Sequence, residues 1–528
     1  MDILRTVFIG LLFLNTYLVI ISKNNKALII SPFTTVSSCT QIFDISHQPT
    51  QGYLDKLGFG LHKTGTVFIP FSIAGAIIAN DICKAVVVQS DGKILLAGST
   101  KYTDGKTYYA LARYLPNGIL DPTFGRTNTI YKGTTFIPFS ISGGINDRAN
   151  SIALQPDGKI VLGGWTNKDG ITYFSLARFT CNGELDTTFG QIEDPKTGTC
   201  FLPFTITGGQ NDQATKITLQ SDGKIVASGL SVFDTASYFA IARFMPNGQL
   251  DLSFGGENGA PPGTNYIPFG IAGGSLDVAT GLAIQSNGSI IIGGYSEDET
   301  GHNTYFALSC FTSNGNLDQT FGGYNRSQPG TAYINFSIAD LGLTDTTIDI
   351  ATSLALTADD SILMGGFSTH GRNECSYVSL ARFTSKGYLD TSFGKTKTPH
   401  AGTICINLTE PRLQTTYHYA TNLVLQPNGS ILIAGWSSNT NNFTLDESRC
   451  YATLARFTTK GLLDPHFGNK GIIHIPFSLS GAHSSKIYET PYAITLQLDQ
   501  SILLGGRTSE GATQPAYFSL ARFTNYQA

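Results

Sequence analysis

The sequence predicts an all-β protein: a seven-bladed β-propeller with four antiparallel strands per blade. Three observations predict it. A motif typified by Leu-Asp-Thr-Thr-Phe-Gly at Leu185 to Gly190 returns seven times, with its Asp at Asp55, Asp121, Asp186, Asp251, Asp318, Asp390 and Asp464, at spacings of 65 to 74 residues. Three further motifs recur between these copies in one fixed order. The composition agrees, with 58 glycines, 33 Phe and 23 Tyr in 528 residues and only 14% charged residues, where an average soluble chain carries roughly 25%. Low charge with many aromatic residues and glycines suits strands and tight turns.

Each unit supplies its strands in order. Ile152 to Leu154 ends a first strand, A, at the motif Gln155-Pro156-Asp157-Gly158. Asp-Gly or Asn-Gly is hairpin-turn chemistry, because glycine supplies the positive φ the turn needs. Lys159-Ile160-Val161-Leu162-Gly163-Gly164 then begins strand B, and Tyr173 to Phe179 forms strand C. The segment Ile137-Pro138-Phe139-Ser140-Ile141 supplies strand D of the preceding unit, with prolines at Pro70, Pro138, Pro203, Pro268 and Pro476 in five of the seven copies. Proline cannot donate to a ladder, so D is expected to contain these prolines and to lie at the outer sheet edge. The repeats start with a D strand and end with a C strand. The N-terminal D strand, around Phe68 to Ile73, is therefore expected to complete the last blade, built from residues 492–524, and close the ring.

Domain boundaries follow. Val7 to Ile21 is apolar apart from Asn15 and Thr16, with Arg5 before it and Lys23 and Lys26 after it. Fifteen residues suit a signal-peptide core better than a spanning helix. Residues 1–22 are expected as a signal peptide or signal anchor, 23–51 as a linker and 52–528 as the propeller, with membrane anchoring only through 1–22. A net charge of −4 offers nothing to neutralise phosphates, so no nucleic-acid partner is expected. None of the eight cysteines forms a CxxC pair, which argues against structural zinc.

The string Gln-Pro-Asp-Gly-Lys-Ile, followed by Leu-Ala-Arg-Phe, Asn-Gly-x-Leu-Asp and x-x-Phe-Gly, resembles the delta-60 repeat family of bacterial proteins over roughly residues 52–528. The resemblance implies a propeller-like β architecture in an exported or surface-associated bacterial protein and transfers no catalytic residue. Three units depart from the pattern. Unit five has Thr357-Ala358-Asp359-Asp360, unit seven has Leu498-Asp499-Gln500, and unit four has Ser309-Cys310 where others have Ala-Arg.

No HExxH, GxSxG or phosphate-loop string occurs in the chain. Two ring positions carry chemistry instead. Eight residues before each Gln position stand Asp81, Asp147, Asp212, Asp277, Asp349, His418 and Glu489. Such a ring of carboxylates reads either as a site for a hard cation such as Ca2+ or as a cap accepting backbone N–H groups in every blade. The residue after the strand-B glycines is Ser99, Trp165, Leu230, Tyr295, Phe367, Trp436 or Arg507. It varies although the framework around it repeats, so Trp165, Tyr295, Phe367, Trp436 and Arg507 are candidate ligand-binding residues, with packing between blades as the alternative. The D–A and B–C loops would share one face. The long B–C segment Ser437 to Cys450 is a candidate binding loop.

The expectation is an exported protein, extracellular, periplasmic or at the cell surface, that acts as a binding scaffold for a glycan or a surface protein. The alternatives are a glycan hydrolase or lyase with carboxylates at the channel mouth, and a purely structural envelope component. No cofactor is expected beyond the Ca2+ reading of the acidic ring.

Overall fold

The computed structural model describes residues 59–60, 65–69, 72–75, 79–125, 132–190, 197–202, 211–257, 259–322, 328–336, 347–370, 376–394, 401–408, 417–438, 450–475, 488–509 and 515–524, together with backbone strands between 10 and 54. Among them the chain is all β, with no helix. In the second unit, strand A is Asn146–Leu154, B Ile160–Lys168, C Ile171–Phe179 and D Thr199–Leu202. Adjacent strands pair antiparallel, A with B, B with C and C with D. The same meander recurs from Ile82–Val88 through to Cys450–Phe457 and Ile472–Ile475. The final A, B and C strands, Tyr488–Leu496, Ile502–Ser509 and Ala516–Thr524, take their fourth strand from Thr66–Phe68, with Ser519 opposite Phe68 and Ala521 opposite Thr66. This is a propeller-like arrangement of four-stranded sheets.

The outer strand lies at the sheet edge, but it is shorter than the sequence suggests. Thr134–Phe136 and Thr264–Tyr266 end before Pro138 and Pro268 instead of containing them. Ile137 N–H still reaches Tyr109 O at 3.1 Å and Ile267 N–H reaches Phe239 O at 3.0 Å. The proline that follows has no N–H, so pairing stops there. Two departures of the A–B turn are tolerated with strain. Asp360 (φ 61°) and Gln500 (φ 69°) hold the left-handed conformation that Gly158 holds elsewhere, at a cost of about 1–2 kcal/mol each.

At the amino terminus, Gly10–Leu14 pairs with Tyr17–Ile21, and Lys26–Ile30 and Ile42–Asp44 extend this hairpin into a four-stranded sheet. Strands therefore occupy part of the segment expected as a linker, residues 23–51. Among the described residues no helix is long and apolar enough to cross a membrane.

The cores lie between sheets. One cluster packs Val161, Phe174 and Leu176 of the second unit against Ile217, Ile225 and Ala242 of the third. Another packs Leu503, Phe518 and Leu520 of the last unit, with Phe59 and Ile69, against Leu96 and Ala112 of the first. Each buried Phe or Leu contributes about 1.5–3 kcal/mol.

The repeated motifs form the clasp between neighbours. Arg178 Nε donates to Asp186 Oδ2 at 2.9 Å, and its Nη1 reaches Pro246 O of the next unit at 2.7 Å. Its guanidinium lies 4.7 Å from the Phe189 ring centroid. Arg113, Arg243, Arg382 and Arg456 make the same ion pair at 2.7–2.9 Å. In unit four Cys310 replaces the arginine, and the glutamine link that Gln155 Nε2 makes to Pro246 O at 3.1 Å beside Arg178 remains as Gln285 Nε2 to Ser385 O at 2.9 Å. Phe59, Phe124, Phe189, Phe254, Phe321 and Phe393 each sit under the next unit's turn glycine, so a Cβ on Gly183 would come within 2.7 Å of Phe124.

Gly183→Ala is expected to cost about 1–3 kcal/mol more than Gly170→Ala, because overpacking adds to strain at similar φ. Gly170 (φ 84°) has open space where Gly183 (φ 84°) has the Phe124 ring. Thermal melts of the two variants check this; equal losses would mean the Phe–turn contact carries no packing constraint.

Candidate functional site

The acidic ring is built into the framework. Asp81 is fully buried; it accepts from the Thr100 hydroxyl at 2.6 Å and from Ile73 N–H at 2.9 Å. Asp147 accepts from the Thr166 hydroxyl and from Ile141 N–H at 3.0 Å. Asp212 accepts from the Ser231 hydroxyl at 2.5 Å. Asp277 and Asp349 accept Ile271 N–H at 3.2 Å and Phe336 N–H at 2.8 Å. Every unit carries a Ser or Thr 19 residues after the ring position: Thr100, Thr166, Ser231, Ser296, Ser368, Ser437 and Thr508. That pairing is legible in the sequence once the two positions are compared. The carboxylates thus cap the connection from the D strand of one unit to the A strand of the next.

The structure does not bring these carboxylates together. Among the described residues no group of three His, Cys, Asp or Glu side chains could hold a metal ion. Glu489 stands opposite Thr508 in the ladder, and its side chain lies outside the described residues.

His418 replaces the aspartate in the sixth unit. Its Nε2 donates to Asn407 Oδ1 at 3.0 Å, leaving Nδ1 to accept from the Ser437 hydroxyl at 2.8 Å. Ser437 Oγ also lies 2.7 Å from Thr453 Oγ1, which lies 3.0 Å from His474 Nδ1. His418 is 1% and Ser437 0% exposed, and both stand at the wall of a cleft between the fifth and sixth units.

The variable ring lies at the ends of the B strands and is half-buried in six of seven units, Ser99 being buried. Trp165 faces Arg148 across the A–B ladder, the guanidinium 5.3 Å from its ring centroid. Trp436 stacks on Tyr419 with centroids 4.1 Å apart, and Phe367 of the fifth unit meets that Tyr419 edge-on at 4.8 Å. A cleft between these units is lined by Val378, Leu408, His418, Tyr419, Trp436 and Thr453. Tyr295 faces Val278, and Arg507 faces Thr490. Residues 439–449 of the long B–C segment lie outside the described residues.

A bulge in strand A escaped the sequence reading. In every unit the ladder register shifts there by one residue, as between Ala149 and Ser151. The extra residue is Lys84, Asn150, Thr215, Thr280, Thr352, Thr421 or Tyr492. Five of them donate to the bulge carbonyl of the next unit: Asn150 to Ala214 at 2.9 Å, Thr215 to Ala279 at 2.8 Å, Thr280 to Ala351 at 2.8 Å, Thr352 to Ala420 at 3.0 Å and Thr421 to Pro491 at 2.7 Å. Bulges re-aim side chains in this way. Between the last and first units, Lys84 Nζ instead lies 3.3 Å from the Tyr492 ring centroid.

Four segments of the chain, 89–124, 155–189, 220–254 and 285–321, match the family described as "Domain of unknown function (DUF5122) beta-propeller". The four matched segments are β-propeller repeats. Units five to seven, two of which carry altered A–B turns, lie beyond the matched segments. No curated protein matches the chain. Similar solved structures include the polysaccharide lyase Uly1, at 10% identity over 90% of this chain and 98% of that one with a TM-score of 0.44. Sqt1 from Chaetomium thermophilum is similar at 12% identity over 86% and 97%, with a TM-score of 0.37. The N-terminal domain of Nup159 is similar at 9% identity over 90% and 97%, with a TM-score of 0.36.

Burial pushes the carboxyls of Asp81, Asp277 and Asp349 up from 3.8 to about 7. Their contribution to stability is complete below the unfolded value and is lost as pH rises through about 7. Burial, and then His474, hold His418 down from 6.5 to about 3, so its contribution is present above 6.5 and lost as pH falls towards 3. Asp349→Asn keeps an acceptor for Phe336 N–H without the charge. It is expected to flatten the loss of melting temperature between about pH 5 and about pH 8. An unchanged slope would show that Asp349 does not titrate in that window.

Proposed function

We propose that the seven sheets are the blades of one closed ring of the delta-60 kind, and that the protein is an exported binding scaffold. Several observations support the ring. The last sheet borrows Thr66–Phe68. Arg522 lies over Phe59 at 4.7 Å and donates to Pro116 O at 2.9 Å, repeating at the chain's two ends the clasp seen between the other units. The apolar run of residues 1–22 supports export.

The observation that carries the binding reading is a division of labour among polar groups. Carboxylates of the kind a hydrolase or lyase would use are buried and each accepts a hydrogen bond from the framework: Asp81, Asp147, Asp277 and Asp349 from a backbone N–H, and Asp212 from the Ser231 hydroxyl. At the same end of the sheets, Trp165, Tyr295, Phe367, Trp436 and Arg507 remain half-buried and differ from unit to unit. Aromatic faces left partly open beside polar groups suit stacking against sugar rings. We read the partner as a saccharide held on the face shared by the D–A and B–C loops.

Replacing Trp165 and Trp436 together by Ala is expected to weaken saccharide binding by about tenfold or more, since hot-spot aromatics carry that much. The melting temperature of the unliganded chain should move little. Thermal-shift titration of the full chain with neutral and acidic oligosaccharides reads both quantities. Binding of no saccharide by the wild type would remove the reading. So would a collapse of stability in the double variant, which would mark the two rings as packing alone.

A further inference from the structure

The ring positions are not evenly charged. Lys84 and Arg148 stand on the A strands of the first and second units, Lys216 on that of the third, and Arg507 at the end of strand B in the seventh. Units seven, one, two and three are consecutive around the proposed ring. The matching strand-A positions of units four to six hold Val278, Thr280, Ile350, Thr352, Tyr419 and Thr421. One half of the channel mouth is therefore basic and the other is neutral, with the Phe367–Tyr419–Trp436 rings beside it.

Among the described residues no carboxylate lies within ion-pair distance of Lys84, Arg148, Lys216 or Arg507, whereas Lys93, Lys159 and Lys224, which lie elsewhere, all pair with aspartates. Lys84 and Arg148 rest instead on the rings of Tyr492 and Trp165. Arg148 is exposed, and the other three are half-buried. Desolvating Lys84 and Lys216 without a counter-ion destabilises a fold unless an anion completes the set. We infer that this basic half of the channel mouth holds an oxyanion group, carboxylate or sulfate, carried by an acidic oligosaccharide whose sugar rings lie against the aromatic half. This deepens the saccharide reading above and rests on it. The titration of the lysines agrees: burial, then Arg148, Arg507 and Lys216, bring Lys84 down to about 8, and burial lowers Lys216 as well. A bound oxyanion would reverse both trends.

The test uses the full chain with three probes: tetragalacturonate, its fully methyl-esterified form and inorganic sulfate. The esterified form has the same sugar backbone without the charge. Tetragalacturonate is expected to bind about tenfold or more tightly than its ester, because charge-assisted hydrogen bonds discriminate by that factor. That advantage should shrink as sodium chloride rises from about 50 mM to about 500 mM. Lys216→Met should remove the preference, and unliganded it should melt no lower than the wild type, since it deletes an unpaired cation and keeps the apolar stem. Lys84→Gln gives a second variant with the same expectation for the preference. Equal binding of acid and ester would overturn the oxyanion inference and leave saccharide binding intact. Protection by sulfate alone, lost in Lys216→Met, would support the oxyanion site and overturn its saccharide source. Binding of none of the three would overturn both readings. A large fall in the melting temperature of Lys216→Met would also count against the inference, because it would give the lysine a structural role.

Discussion

The architecture depends on one clasp. An arginine on strand C is held by an aspartate eight residues on, lies over the phenylalanine of the same motif, and donates its other N–H groups to Gln155 Oε1, Thr188 Oγ1 and a backbone carbonyl of the following unit. A guanidinium this buried is tolerable only because every face of it is engaged. The geometry also explains the motif's fixed length. The Asp that orients the arginine and the Phe that props it must both reach one side chain, and the Phe must then fit beneath the next turn glycine. Where the arginine is missing, at Cys310, the strand-A glutamine Gln285 reaches the neighbouring carbonyl Ser385 O, and Asp318 keeps its turn through Thr320 N–H at 3.0 Å.

Most of this was legible in the sequence, because repeated residues serve the repeated framework. The hairpin glycines and the edge position of the proline-bearing segment follow from turn chemistry and a missing N–H. The acidic ring was legible as a position, while its role depended on a partner 19 residues away on another strand. Asp81 with Thr100 and Asp147 with Thr166 make it a turn cap. Strand D was placed at the edge and drawn too long, since Pro138 follows the strand.

The bulge residues were not legible. A one-residue register shift leaves no periodic mark, and Thr215, Thr280, Thr352 and Thr421 read as ordinary strand threonines. Their donation to the next unit's carbonyl appears only once neighbouring A strands are side by side. The uneven charge at the channel mouth was hidden for the same reason. Lys84 and Lys216 sit one register position apart in strand A, and Arg507 comes from strand B, so no single column of the repeat contains them. Positions under the clasp and the cap are held nearly constant, the bulge position changes where Lys84, Asn150 and Tyr492 replace threonine, and the strand-B position of Trp165 and Arg507 changes from unit to unit.

Arg522 is the most direct probe of the closed ring, because its partners, Phe59 and Pro116, come from the opposite end of the chain. Hydrogen exchange of the full chain should be followed in the wild type and in Arg522→Ala. If the ring is closed by this clasp, protection should fall in the A strands of all seven units together, since opening one seam removes the constraint on every neighbour. Loss confined to Tyr488–Leu496, Ile502–Ser509 and Ala516–Thr524, with the other sheets protected as before, would contradict it.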